Sequence, residues 1–316
     1  MVCVREVPVE EYLDFASRNT SIVIDDQPIP LKPIRVERLE PSQRELPDVS
    51  TTVWSFPKRG SWATHKGDYR GNWPPQIPRA LILKYTGEGD VVLDPMVGSG
   101  TTCIEALLLG RNCIGVDLNY NAVMLTHHRL YYLVKALESR GEGVHGHSGR
   151  AWYRIYHGDA RRLDKIRDDS VDLVATHPPY LNIVRYGVEK SEGDLSAVRG
   201  LEEFLVLFKE VAREAYRVLK PGKVLAVLVG DTRIRKHYVP LTHYVLLTLL
   251  DVGFVLMEEV VKIQHKMKTT REVWSRLRNR DFLLIYHEKL FILRKPVGKE
   301  SRVRFSGRQD FVELKL

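Results

Sequence analysis

The sequence predicts an α/β fold built on a mainly parallel sheet with helices on both faces. From residue 77 onward, short apolar runs alternate with amphipathic segments, and a glycine-rich turn follows the first run. The 316 residues, 44% of them hydrophobic, are enough to fill one large core with decoration. No repeat, low-complexity tract or membrane-length apolar stretch competes with this interpretation.

The predicted elements follow one another in a regular order. Strands are expected at 91–94, 112–117, 152–160, 171–176, 223–231, 254–263 and 282–295. Helices are expected at 9–19, 77–86, 101–109, 201–220 and 241–254, with a long one running through Tyr132 and Leu137. Pro221 and Gly222 are expected to stop the 201–220 helix. The Pro-rich, charged residues before position 60 indicate an extended arm.

Charge and cysteine usage narrow the function classes. The 48 Lys and Arg residues outnumber the 40 Asp and Glu residues, so the net charge is +8. This charge favours an anionic partner such as nucleic acid, although solubility alone would also explain it.

Cys3, Cys103 and Cys113 have no metal-binding spacing, so we expect reduced, mostly buried thiols and no metal. The excess of Arg, Glu and Lys over Gln suits a thermophile. The N-terminus lacks a signal-peptide core, which predicts a cytoplasmic protein.

A glycine loop, Asp94 to Thr102 (DPMVGSGTT), joins the first strand to a helix. Its glycines allow close approach to a ligand, and the helix N-terminus favours negative charge. Asp117 ends the next strand about twenty residues on, where a carboxylate can accept two ribose hydroxyls. Asp159 ends the third strand, where an acid can accept from an adenine amino group. Three acids at strand ends predict a ligand in the crevice at this sheet edge.

The residue before the glycines discriminates between two such ligands. A dinucleotide site would have the pattern GxGxxG, whereas the run here is GSGTTC with Asp94 ahead of it. An acid in that place suits an ammonium group. S-adenosylmethionine carries one and dinucleotides do not.

The fourth strand closes on the tetrad His177-Pro178-Pro179-Tyr180. The two prolines fix an extended turn, which leaves the Pro178 carbonyl able to accept from a ligand. The Tyr180 ring is suited to stacking on a flat base. A proline-rich strand exit with a core tyrosine would explain a lone PPY. Beside the glycine loop, a ligand site is the better interpretation.

These motifs together resemble the amino-methyltransferases of nucleic acids, whose cofactor loop is close to DPFxGSGTT and whose tetrad is (Asp/Asn/Ser)-Pro-Pro-(Tyr/Phe/Trp). The resemblance implies a Rossmann-like class I S-adenosylmethionine-dependent methyltransferase sheet, mainly parallel with an antiparallel last strand. It implies an N-terminal arm with an aromatic and basic loop (1–66), a core (67–295, with a basic insertion at 265–281) and a C-terminal tail (296–316). The implied cofactor-binding residues are Asp94, Pro95, Gly98, Ser99, Gly100, Thr101, Asp117, Asp159 and Ala160.

The resemblance also implies the reaction. His177 and the Pro178 carbonyl would accept the two hydrogens of an exocyclic amine, beside Pro179 and a stacking Tyr180. His177 stands where the family has Asp, Asn or Ser, which leaves the choice of base open. A neutral imidazole can accept the same hydrogen bond. The residues expected to contact nucleic acid are Asn182, Arg185, Tyr186, Lys266, Arg271, Trp274 and Arg276, with the loop from Trp62 to Trp73 as a further candidate.

The resemblance favours methylation of cytosine N4, with DNA slightly favoured as the polymer. N4-cytidine methylation of structured, ribosomal RNA remains an alternative, because no segment is long enough to be a separate target-recognition domain and because His177 departs from the family tetrad. N6-adenine methylation is a further alternative. A non-catalytic nucleic-acid-binding module and a small-molecule or NAD enzyme are the competing classes. No metal or membrane partner is expected, and the oligomeric state is not predicted.

Overall fold

The computed structural model describes residues 4–24, 26–46, 48–141, 145–146, 149–179, 195, 198, 200–234, 236–265 and 281–298. These residues form six α-helices, α1 Val9–Arg18, α2 Gln76–Tyr85, α3 Thr101–Leu108, α4 Tyr120–Ser139, α5 Leu201–Val218 and α6 Leu241–Val252. The strands are β1 Arg5–Val7, β2 Ser21–Ile24, β3 Gln27–Pro30, β4 Val53–Ser55, β5 Val91–Asp94, β6 Asn112–Asp117, β7 His145–Gly146, β8 Gly149–Arg150, β9 Tyr153–His157, β10 Val171–Thr176, β11 Leu219–Val229, β12 Thr232–Ile234, β13 His237–Val239, β14 Val255–Ile263 and β15 His287–Arg294.

The main sheet has nine strands in the order β1-β9-β6-β5-β10-β11-β15-β14-β4. The strands from β9 to β11 run parallel to one another. β15, the last strand of the chain in this sheet, lies antiparallel to both β11 and β14. The predicted class I methyltransferase sheet with an antiparallel last strand is therefore confirmed.

Helices cover both faces of the sheet because its central strands are apolar on both sides. In β11, Val224, Ala226 and Leu228 pack into the core on one face, and the residues between them pack into the core on the other. The first core includes α2, α3 and α4, and the second includes α5 and α6. The parallel strands consequently place their carboxyl ends along one edge, where the predicted acids lie.

The N-terminal arm contributes strands to both edges of the sheet. β1 pairs antiparallel with β9, and β4 pairs parallel with β14. β2 and β3 form a separate hairpin whose buried isoleucines pack against α4. Because both edge strands come from the arm, residues distant in sequence close the sheet at its two ends.

Two local predictions differ from the structure. The fifth helix ends at Val218, and the backbone is already extended at Leu219, which pairs with Val171 of β10. Pro221 and Gly222 therefore lie inside β11, where Gly222 adopts a φ of 80°. The last strand begins at His287 rather than 282.

The prediction of reduced thiols is wrong for Cys103 and Cys113, which form a disulfide with Cα atoms 5.3 Å apart. Cys103 lies on α3 and Cys113 on β6, and both are fully buried. Packing of the helix on the strand brings the two sulfurs together, which their spacing of ten residues did not indicate. Cys3 lies outside the described residues.

Candidate active site

A cavity of about 420 Å³ opens at the carboxyl ends of β5, β6, β9 and β10. This volume lies in the range of about 300–1,000 Å³ that is usual for small-molecule sites. The predicted site residues in its wall are Asp94, Pro95, Gly98, Ser99, Thr101, Asp117, Asp159, Ala160, His177 and Pro179. Gly100 and Pro178 belong to the same two loops but are not among the residues that line the cavity. The cofactor motifs and the tetrad therefore share one cavity.

The glycine loop adopts a shape that other residues would strain. Gly98 and Gly100 have φ values of 55° and 81°, in the left-handed region that favours glycine. A Cβ atom on Gly98 would lie 3.1 Å from the ring of Tyr69, and one on Gly100 would lie 3.1 Å from Thr126 Cγ2. One side of the loop lines the cavity, and the other side packs against Tyr69 and Thr126.

Asp94 is a buried carboxyl at the floor of the cavity, with 2% of its surface exposed. Burial raises the pKa of Asp94 to about 6, although hydrogen bonds from the Thr102 hydroxyl and the Met96 N–H favour the ionised form. A cationic group bound next to Asp94 would offset the cost of its burial. An ammonium group fits that requirement.

Asp117 lies at the cavity wall with both carboxylate oxygens fixed by backbone donors. Oδ2 accepts from the Gly98 N–H at 2.8 Å, and Oδ1 accepts from the Asn119 N–H at 2.9 Å. Each carboxylate oxygen can accept a further hydrogen bond. Asp117 can therefore accept two vicinal hydroxyls, as the sequence predicts for a ribose.

Asp159 is held by a residue that sequence reasoning missed. The Arg161 guanidinium donates to both carboxylate oxygens, with Nε at 3.0 Å and Nη2 at 2.6 Å from Oδ2, and the Arg161 N–H donates to Oδ1 at 2.9 Å. Both side chains are buried. An adenine amino group bound here would share the Asp159 oxygens with Arg161. The i, i+2 spacing of an acid and an arginine gave only a weak signal for this pair.

The tetrad follows β10 directly, and its His177 imidazole lies near Trp73, β15 and β14. The His177 ring stacks on Trp73, with ring centroids 6.2 Å apart and planes at 25°. His177 Nε2 lies 3.6 Å from Oε1 of Glu288 on β15. The other carboxylate oxygen of Glu288 accepts from Lys262 Nζ on β14 at 2.7 Å. Glu288 and Lys262 were not predicted as site residues, although the segment containing Glu288 contributed to the family resemblance. Trp73 was expected only as part of the candidate nucleic-acid loop.

The loop from Trp62 to Trp73 packs into the protein instead of presenting its rings as a surface. Trp62 is fully buried, and its indole N–H donates to Glu105 of α3 at 2.7 Å. His65 Nε2 lies 2.7 Å from the same carboxylate oxygen. Trp62 therefore presents no ring to nucleic acid, but Lys66 and Arg70 of the same loop are exposed, so a contact through this loop stays a prediction. Trp73, by contrast, lines the cavity.

Several predicted residues lie outside the described part of the chain. They are Tyr180 of the tetrad and the predicted nucleic-acid contacts Asn182, Arg185, Tyr186, Lys266, Arg271, Trp274 and Arg276. Within the described residues, no group of three or more His, Cys, Asp or Glu side chains is arranged to hold a metal ion. No helix among those residues has the length and apolarity to cross a membrane.

The cavity fits S-adenosylmethionine on the chemistry of its wall. Asp94 suits the ammonium group, and Asp117 suits the ribose hydroxyls. Thr101 Oγ1 is buried in the wall without a hydrogen-bond partner among the described residues, so it can donate to a ligand oxygen such as a carboxylate. These groups match three separate parts of the one cofactor.

The chain is similar to known methyltransferases over part of its length. A type II methyltransferase of Moraxella bovis is 33% identical over 87 residues, which are 28% of this chain and 32% of that protein. The tRNA (guanine(10)-N2)-dimethyltransferase of Methanothermobacter thermautotrophicus is 26% identical over 202 residues, which are 64% of this chain and 48% of that protein. The chain thus spans between about a third and a half of the length of these curated relatives.

Solved structures and a family model complete the comparison. A candidate DNA modification methylase from Thermus thermophilus, solved with S-adenosyl-L-methionine, is 25% identical; the match covers 46% of this chain and 55% of that one, with a TM-score of 0.32. The family model for N6/N4 methyltransferases, with the description DNA methylase, matches residues 7–127 and 171–308, more than half of the chain. The cofactor of this family is S-adenosylmethionine. The chain belongs to the N6/N4 DNA methylase family.

Proposed function

We propose that the protein transfers a methyl group from S-adenosylmethionine to an exocyclic amino group of a nucleic-acid base, with cytosine N4 favoured. The observation that carries the proposal is the shared cavity: His177 and Pro179 line the same space as Asp94, Asp117 and Thr101. A base amine held by the tetrad is thereby brought next to the methyl group of a cofactor held by the glycine loop.

The residues of the tetrad address the weakness of the nucleophile. The lone pair of an exocyclic amine is delocalised into the base, so the amine attacks poorly. His177 and the Pro178 carbonyl accept the two amino hydrogens and draw the nitrogen toward tetrahedral geometry. The cofactor supplies a methyl group already activated on a sulfonium. In-line placement of the two groups then lowers the remaining barrier.

We favour DNA as the polymer. The family description is DNA methylase, and the net charge of +8 suits a polyanion. A base in a duplex would have to leave the stack to reach the cavity, at a cost of a few kcal/mol.

Structured RNA is the second candidate, and one comparison favours it. The match to the Methanothermobacter relative covers 64% of this chain, and that enzyme is named for methylation of an exocyclic amine, N2 of guanine, in tRNA. That relative supports the same reaction class on another polymer. The proposed chemistry does not depend on which polymer the protein binds.

The test uses the full chain with methyl-labelled S-adenosylmethionine and separate pools of DNA and RNA, followed by mass spectrometry of the released nucleosides. We expect N4-methylcytosine in one pool and its loss in His177→Ala. His243→Ala is the matched control, because His243 is exposed on α6 and does not line the cavity. Label in neither pool, with salt-sensitive nucleic-acid binding that the cofactor does not alter, would favour a non-catalytic module. Detection of N6-methyladenine instead would indicate that the protein methylates N6 of adenine.

A further inference from the structure

The carboxylate of Glu288 lies between an imidazole and an ammonium group. Its Oε1 lies 3.6 Å from His177 Nε2, and its Oε2 lies 2.7 Å from Lys262 Nζ. Only 5% of the Glu288 side chain is exposed, and 12% and 11% of the His177 and Lys262 side chains. Glu288 therefore lies between His177, which lines the cavity, and Lys262 of β14.

The pairing of the two last strands fixes this line. Lys262 of β14 and Glu288 of β15 are directly opposite each other in the antiparallel register. Burial disfavours ionisation of Glu288, but Lys262 and His177 hold the pKa of that carboxyl well below its usual range. Glu288 is therefore an anion in the folded protein. Asp94 on β5 also interacts electrostatically with His177, from the cofactor side.

We propose that Glu288, kept ionised by Lys262, is a positioning residue that makes His177 the acceptor of the proton released by the methylated amine. This inference rests on the proposed function. An anion facing Nε2 keeps the imidazole proton on that nitrogen and leaves the acceptor lone pair on Nδ1. The same anion stabilises the imidazolium that forms when Nδ1 takes up a proton.

The step balances without any further reactant. The amine nitrogen forms a bond to the methyl carbon, the carbon–sulfur bond breaks, and its electron pair remains on sulfur. The methylated nitrogen then carries one proton too many, and that proton passes to Nδ1 of His177. The imidazolium, paired with Glu288, releases the proton to solvent after the product leaves.

Lys262 determines whether the proton stays on His177 or moves to Glu288. A buried carboxylate without a cation would compete for the proton, because burial favours its neutral form. With Lys262 at 2.7 Å, Glu288 stays ionised and the proton stays on the imidazole. His177 stands where the family pattern has Asp, Asn or Ser. Of these side chains, only an imidazole can accept the proton on one nitrogen while its other nitrogen faces the Glu288 carboxylate.

The test compares two carboxylates on the same pair of strands. Glu288→Gln removes the anion beside His177. Glu259→Gln removes another Glu–Lys pair on the same two strands, since Glu259, with 36% of its side chain exposed, accepts from Lys289 at 2.7 Å. We expect kcat to fall about 100-fold in Glu288→Gln with KM changed less than about threefold, and both to be retained in Glu259→Gln. Equal kinetics in the two variants would overturn the proposal.

A spectroscopic measurement separates this inference from the proposed function. In ¹⁵N-labelled full-length protein, with the His177 signals assigned by their loss in His177→Ala, we expect the proton on Nε2. We expect mixed tautomers in Glu288→Gln. This result stands even if no nucleic acid is methylated, whereas a proton on Nδ1 in the native protein would overturn the proposal. Should Glu288→Gln fold poorly, the neutral pair Glu288→Gln with Lys262→Met must show the same kinetic loss.

Discussion

Asp117 accepts a hydrogen bond from the backbone N–H of Gly98 at 2.8 Å, which fastens the end of β6 to the middle of the glycine loop. The loop shape and the position of the carboxylate therefore depend on each other. Oδ1 is held in the same way by Asn119 at the start of α4. The cavity wall is thus built by contacts between the ends of neighbouring strands.

Asp117→Asn should weaken the binding of S-adenosylhomocysteine about 10- to 100-fold. An amide has one acceptor oxygen, so it cannot serve two backbone donors and two ribose hydroxyls, and each charge-assisted bond is worth about 1.5–3 kcal/mol. Titration calorimetry measures the change. Asp164→Asn is the control, since Asp164 is partly exposed, outside the cavity and paired with Arg162 at 3.8 Å. Equal affinity in both variants would contradict the assignment.

Binding of S-adenosylhomocysteine should strengthen as the pH rises through about 6. Burial raises the pKa of Asp94 to about 6, and only the ionised carboxylate attracts an ammonium group. Asp94→Asn should bind with little dependence on pH over the same range. Calorimetry between about pH 5 and about pH 7, roughly one unit either side of the transition, makes the comparison. A flat profile in the native protein argues against contact between Asp94 and the ligand.

The raised pKa of Asp94 also predicts how the stability of the ligand-free protein depends on pH. The folded-state pKa of Asp94 lies above its unfolded value, so the folded protein binds more protons between those two values. The contribution of Asp94 to the free energy of unfolding is present at low pH and is lost as the pH rises through about 6. Urea unfolding should therefore show Asp94→Asn gaining stability relative to the native protein over this window. A constant difference would indicate that the pKa is not raised.

Gly98→Ala should cost more stability than Gly141→Ala. Both glycines have positive φ values, 55° and 68°, and a non-glycine residue in that region costs about 1–2 kcal/mol. A Cβ at Gly98 also meets the buried Tyr69 ring, whereas no atom of the described residues lies within 4 Å of one at Gly141. Urea unfolding measures the difference in stability. Of the two variants, only Gly98→Ala should also weaken cofactor binding. Equal losses would show that the loop can relax away from Tyr69.

Glu105→Gln should destabilise the protein by about 3–5 kcal/mol, because it leaves buried partners without an anion. Glu105 is fully buried and receives hydrogen bonds from Trp62 at 2.7 Å and from Arg79 at 3.0 Å. Glu40→Gln is the matched control, since Glu40 pairs with the same Arg79 but has a side chain 58% exposed. Its loss should stay below about 1 kcal/mol. Urea unfolding of both variants tests whether burial makes this difference.

Much of the fold was predictable because its signals are local. Strands β5, β6 and β10 lie where their apolar runs predicted them, and Asp94, Asp117 and Asp159 stand at or just after strand ends. The glycine loop was predictable because a left-handed backbone at Gly98 and Gly100 leaves few other residue choices. The disulfide was not predictable, because Cys103 and Cys113 meet only when α3 packs on β6.

The order of the elements, the cofactor loop and the tetrad could be predicted from the sequence alone, since each is a pattern of neighbouring residues. The side chains that surround them are known only from the tertiary structure. Trp73 and Glu288 contact His177, and Lys262 contacts Glu288, because strand pairing and loop packing bring these three separate segments together. The charge state of a site depends on such long-range neighbours and on burial, and neither is a property of a local motif.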